Sequence, residues 1–84
     1  YSDIIDRNFQ AWVFKQNAGH IHFTDEQMDW LRTIKDFIAT NLSITKDDLD
    51  LPIFADRGGL GKFYTVFGSR YESILDEMNL ALAA

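Results

Sequence analysis

Between Phe23 and Leu42 the chain carries a helix-entry signal followed by an apolar arc, and together these leave few alternatives to a helical fold. Thr24 is a good N-cap, and Gln27 follows it at the spacing of a T-x-x-Q capping box. Phe23 ahead of the cap and Met28 beyond it are placed to close a hydrophobic staple. Wound at helical periodicity, Met28, Trp30, Leu31, Ile34, Phe37, Ile38 and Leu42 cover close to half the circumference. Asp25, Asp29, Arg32, Thr33, Asp36 and Thr40 share the other side. So wide an arc needs more than one neighbour to bury it, which places this helix at the centre of a small bundle. Asp25, Glu26 and Asp29 suit the positive end of the helix dipole, and Asp29 is spaced to pair with Arg32 one turn on.

Three more helices are read around it, over roughly 2–18, 60–67 and 70–83, with the central one over 24–42. The first buries Ile5, Phe9, Trp12 and Val13 and stops at Gly19; its far side carries a second apolar stripe of Ile4, Ala11 and Phe14. Thr45 and Asp48 are spaced to cap a short helical turn near 46–50, which Pro52 ends. Leu51, Ile53 and Phe54 are expected to tuck inward after it. Gly58-Gly59 reads as a loop needing positive φ or close backbone approach. The helix after it buries Phe63, Val66 and Phe67 and stops at Gly68. Ser69 and Glu72 have the spacing of a second capping box, and the last helix presents Tyr71, Ile74, Leu75, Met78, Ala81 and Leu82 as one face. No stretch alternates with period two, and the fold class is all-α.

The 84 residues form a single domain, and a chain of this length buries only roughly 60 to 65% of its unfolded surface, so its stability margin is thin. With no cysteine, the chain has neither a disulfide framework nor a thiolate metal site, and a cytoplasmic setting fits. No apolar run is long enough to suggest a membrane span. The chain begins at Tyr1 without methionine and reads as part of something longer. Thirteen acidic residues against eight basic ones give a net charge of −5, and the basic residues are scattered. Phosphate recognition needs clustered cations, so the balance favours a protein partner over nucleic acid.

Motifs that invite chemistry fail on their spacing. Gly58-Gly59-Leu60-Gly61-Lys62-Phe63 imitates a phosphate loop, but Asp56 and Phe63 occupy the places of the required glycine and hydroxyl. His20 and His22 have no third histidine or cysteine to complete a metal site, and Asp48-Leu49-Asp50 lacks the glycine of a calcium loop, Ile53 standing there. Nothing fixes a Ser, His and Asp triad, and Trp12, Trp30 and Phe37 sit at core spacing rather than as a base-stacking platform.

The ordered motifs carry a resemblance. Phe9-Gln10-Ala11-Trp12 comes first, then Phe23-Thr24-Asp25-Glu26-Gln27-Met28-Asp29-Trp30-Leu31 and Ile34-Lys35-Asp36-Phe37-Ile38-Ala39. Phe54 with Gly58-Gly59, Phe67-Gly68 and Leu75-Asp76-Glu77-Met78-Asn79-Leu80-Ala81-Leu82 follow. Across nearly the whole chain this resembles the C-terminal domain of type I restriction enzyme R subunits of the EcoEI kind. The final stretch is similar to that family's L-N-x-x-L ending, with Met78 in place of the usual leucine, a near volume-conserving swap. It implies that Ala84 is at or near the end of the parent.

The resemblance implies a parent that is an ATP-driven DNA translocase and nuclease, requiring ATP and Mg²⁺, assembled with methyltransferase and specificity subunits. It implies a non-catalytic, cofactor-free assembly role for this domain. The candidate docking surface is Ile4, Ala11 and Phe14, with Leu80 as an isolated apolar residue on the far side of the last helix and Arg57 and Lys62 adding polar specificity. Two alternatives stay open: direct DNA contact through Arg57, Lys62 and Arg70, and an intramolecular brace against the parent's motor domains.

Overall fold

The computed structural model describes residues 2–82. Five α-helices and two 3-10 turns follow one another: α1 Ser2–Ala18, α2 Asp25–Asn41, a 3-10 turn Lys46–Asp50, α3 Pro52–Ala55, α4 Gly59–Phe67, a second 3-10 turn Gly68–Arg70, and α5 Tyr71–Leu82. No strand occurs among the described residues. The all-α bundle is as expected, with one addition: Pro52 ends the first turn and also opens the single-turn helix α3 as its first residue. The expected helix end near Ala83 and the reading of Ala84 as the parent's end lie outside the described residues, as does Tyr1.

Helix α2 packs against α1, α4 and α5. Its Trp30, Leu31, Ile34 and Ile38 are buried, as are Ile5, Phe9 and Trp12 of α1 and Ile74, Leu75, Met78 and Leu82 of α5. An unbroken chain of aromatic contacts runs through the core. Trp12 stacks on Phe23 at 5.6 Å, Phe23 meets the edge of Phe67 at 6.5 Å, and Phe67 contacts Phe63 at 4.9 Å. Phe63 contacts Trp30 at 5.5 Å, Trp30 stacks on Phe54 at 6.0 Å, and Phe54 meets Phe37 at 5.5 Å. Such pairs add about 0.5–1.5 kcal/mol each beyond area burial.

The capping box at α2 forms as its spacing requires: the Gln27 N–H donates to Thr24 Oγ1 at 3.1 Å and the Thr24 N–H to Gln27 Oε1 at 2.9 Å. Gln27 does more, because its Nε2 donates to the Val66 carbonyl at 3.0 Å and so satisfies the last turn of α4. Asp48 accepts from the Thr45 N–H at 2.8 Å, holding the first 3-10 turn. Asn79 of α5 grips the same connection: its Oδ1 accepts from the Ile44 N–H at 2.9 Å while its Nδ2 donates to the Ile44 carbonyl at 2.8 Å. On the other side of α5, Glu77 accepts from Trp12 Nε1 at 3.3 Å and Gln16 Nε2 at 3.4 Å of α1.

Several local expectations are corrected. Helix α1 does end before Gly19, but the left-handed residue is His20, at φ 67°, with the Ile21 N–H reaching back to the Gln16 carbonyl. Leu42, expected in the core, closes α2 at φ 75° and is exposed, because its backbone has left helical periodicity. Thr33, expected on the polar side, is buried, its hydroxyl donating to the Asp29 carbonyl at 2.9 Å. Of Leu51, Ile53 and Phe54 only Phe54 turns inward; the tight turns on either side of Pro52 give the inward positions to Leu49 and Phe54. The Ser69–Glu72 box does not form. Residues 68–70 are already wound as a 3-10 turn, whereas an N-cap must be extended, and Glu72 instead accepts from Lys46 Nζ at 2.6 Å. Gly58 and Gly59 adopt φ 102° and 65° as expected, and a Cβ on Gly58 would stand 2.5 Å from that of Lys62.

Substitutions at two positions check these assignments in denaturant unfolding. Gln27→Glu supplies the commoner capping-box residue, yet should destabilise the fold by about 1–2 kcal/mol, because it sets a carboxylate against the Val66 carbonyl. Asn79→Ala should cost about 2–3 kcal/mol by stripping both partners from the Ile44 backbone, and Asn79→Asp, which retains the acceptor alone, should also destabilise.

Candidate docking surface

Helix α1 touches chiefly α2 and α5, so its remaining side faces solvent. That side carries Ile4, 45% exposed, Ala11, exposed, and Phe14, 75% exposed. Ile4 and Ala11, seven residues apart, lie along one line of the helix, while Phe14 is turned towards α2. There it borders an open cleft of about 410 Å³ between α1 and α2, with Phe9, Val13 and Met28 as apolar walls and Arg32 and Lys35 beside them. The expected single stripe is therefore two features: a bare apolar line, and an aromatic at the mouth of a cleft that neither Ile4 nor Ala11 lines.

Leu80, 81% exposed, belongs to a different place. It borders a groove between α1 and α5 together with Trp12, Gln16, Glu77 and Ala81. Arg57 and Lys62 lie at the opposite flank of α2. Arg57 pairs with Asp29, and Lys62 Nζ lies 3.4 Å from Glu26 Oε1, so the glycine loop and the start of α4 are latched to the first turns of α2. Their charges are answered within the domain. The expected Asp29–Arg32 pair is accordingly not made.

An electrostatic cluster joins the first 3-10 turn to α5. Lys46 lies over the Tyr71 ring at 5.6 Å, and the Tyr71 hydroxyl donates to Glu72 at 3.2 Å. The hydrogen bond and charge of Lys46 hold the Glu72 carboxyl below the usual glutamate range. The hydrogen bond to Glu72 in turn pushes Lys46 up, while partial desolvation, then the Glu72 charge, pushes Tyr71 up. This cluster and the Asn79 clamp were missed in the sequence because both partners lie far apart along the chain; the Asn in the family-like ending was its only trace. It is a surface brace whose groups pair with one another.

Among the described residues, no group of three or more His, Cys, Asp or Glu side chains is gathered to hold a metal ion, and no helix is long and apolar enough to cross a membrane. His20 serves the α1 terminus and Lys62 holds Glu26, which gives each a structural role.

No curated protein and no solved structure matches the chain. The family model described as EcoEI R protein C-terminal matches residues 1–83, a span that includes the α2 cap, the glycine loop and the Asn79 clamp. The chain belongs to that family, the C-terminal region of type I restriction enzyme R subunits.

Proposed function

We propose that this domain is a non-catalytic docking module that attaches the R subunit to the methyltransferase–specificity core. In this reading the ATP and Mg²⁺ chemistry belongs to the motor and nuclease domains of the parent, and the assembly works in the cytoplasm. The observation that carries it is the placement of Phe14: a large aromatic left 75% exposed on the helix whose opposite face anchors the core. Buried aromatics dominate protein interfaces, so an aromatic standing in water beside an apolar-walled cleft suits a protein partner. Direct DNA contact through Arg57, Lys62 and Arg70 is less well supported, since two of the three, Arg57 and Lys62, already hold carboxylates and only Arg70 is left without an ion-pair partner among the described residues.

Size-exclusion chromatography with light scattering, on the chain mixed with its methyltransferase–specificity core, should show one co-eluting complex. Phe14→Ala should weaken that binding by on the order of 2 kcal/mol while leaving unfolding stability within about 0.5 kcal/mol, as befits an exposed side chain. Separate elution at tens of micromolar, with binding instead to the parent's own motor domains, would replace docking by the internal brace.

A further inference from the structure

The charged residues lining the α1–α2 cleft are Asp6, Arg32 and Lys35. Lys35 is fully occupied: its Nζ lies 3.0 Å from Asp6 Oδ1, 3.5 Å from Asp36 Oδ1 and 5.5 Å from the centre of the Phe9 ring. Asp6 and Lys35 therefore cancel across the cleft. Arg32 is exposed and lines the same cleft. Of the carboxylates one turn from it, Asp29 is drawn to Arg57, and Asp36 shares Lys35 with Asp6. Among the described residues Arg32 has no ion-pair partner, so the cleft presents one unanswered cation on a domain of net charge −5.

Four residues before Arg32, on the same face of α2, Met28 forms part of the apolar wall opposite Phe14. Four helical residues rise about 6 Å. Resting on the docking reading above, we propose that the cleft receives a segment of the methyltransferase–specificity core with a bulky apolar side chain and a carboxylate about one helical turn apart. The apolar group enters between Phe14 and Met28, and the carboxylate pairs with the Arg32 guanidinium, which suits a bidentate carboxylate contact. Lys35, already held by Asp6, shapes the wall rather than binding.

Isothermal titration of the core with the chain and two charge-matched variants tests this. Arg32→Glu should weaken binding by about tenfold or more, whereas Arg70→Glu, which makes the same change in net charge away from the cleft, should weaken it by less than about threefold. Circular dichroism checks that each variant stays helical, and Arg32→Gln, which removes the charge without reversing it, should show a smaller loss in the same direction. If the wild-type chain binds and the two reversals weaken it equally, docking stands and the cleft is not the contact. If the wild-type chain does not bind the core, the docking reading fails and takes this inference with it.

Discussion

The aromatic contacts that pass through Trp30 are the constraint on which the rest of the domain depends. A chain this short has few large side chains to commit, and here the rings from α1, the α1–α2 connection, α4, α2 and α3 meet one another in sequence. Trp30 contacts Phe63 with one part of its surface and Phe54 with another, so α2 fixes both α4 and the short α3 through a single residue. The aliphatic face of α5 then closes the remaining side with Ile74, Met78 and Leu82, all fully buried. Because rings prefer offset and edge contacts over a broad range of slippage, such a chain would set positions only loosely by itself. The hydrogen bonds of Gln27 and Asn79 supply the register.

This arrangement also decides what is left outside. With α4 and α5 both packed on α2 and on each other, α1 is held on one side only, by α2 and α5. Its outer residues have no internal neighbour to meet, and the sequence leaves Ile4, Ala11 and Phe14 among them. The cleft beside Phe14 arises for the same reason, since α1 crosses α2 at an edge of the bundle where no further helix fills the angle. Exposure of Phe14 is thus a consequence of topology, and polar substitution there would have carried little folding penalty.

What was legible in the sequence was local. The apolar arcs of the four long helices, the Thr24–Gln27 box and the positive φ of Gly58 and Gly59 each follow from residues within a few positions of one another. Two of the misreadings are places where a distant partner outcompeted a near one. Glu72 is three residues from Ser69, but Lys46 offers a full charge, and Asp29 is one turn from Arg32 but is taken by Arg57 from the glycine loop. Leu42 and His20 illustrate a different limit. Each adopts a left-handed backbone that glycine would take more readily, so composition gives no warning of it. Asn79 was visible as part of a family-like ending, yet only the folded chain brings it to the Ile44 backbone and explains why an amide, with both donor and acceptor, stands there.

The ion pairs give the domain its electrical character more than its stability. Surface pairs of this kind contribute about 0–1 kcal/mol each, so Lys46–Glu72, Arg57–Asp29 and Lys62–Glu26 do not hold the fold together. What they do is orient the irregular segments, since each ties a turn, a loop or a helix start to a neighbouring helix. They also engage cations. With Lys35, Lys46, Arg57 and Lys62 all facing carboxylates, four of the eight basic side chains are neutralised at short range, and the acidic excess dominates the field felt at a distance. A field of that sign is unfavourable to a phosphate backbone on approach. Internal pairing thus orients the irregular segments, and of the four basic side chains without an ion-pair partner among the described residues, Arg7, Lys15, Arg32 and Arg70, it is Arg32 that lines the α1–α2 cleft.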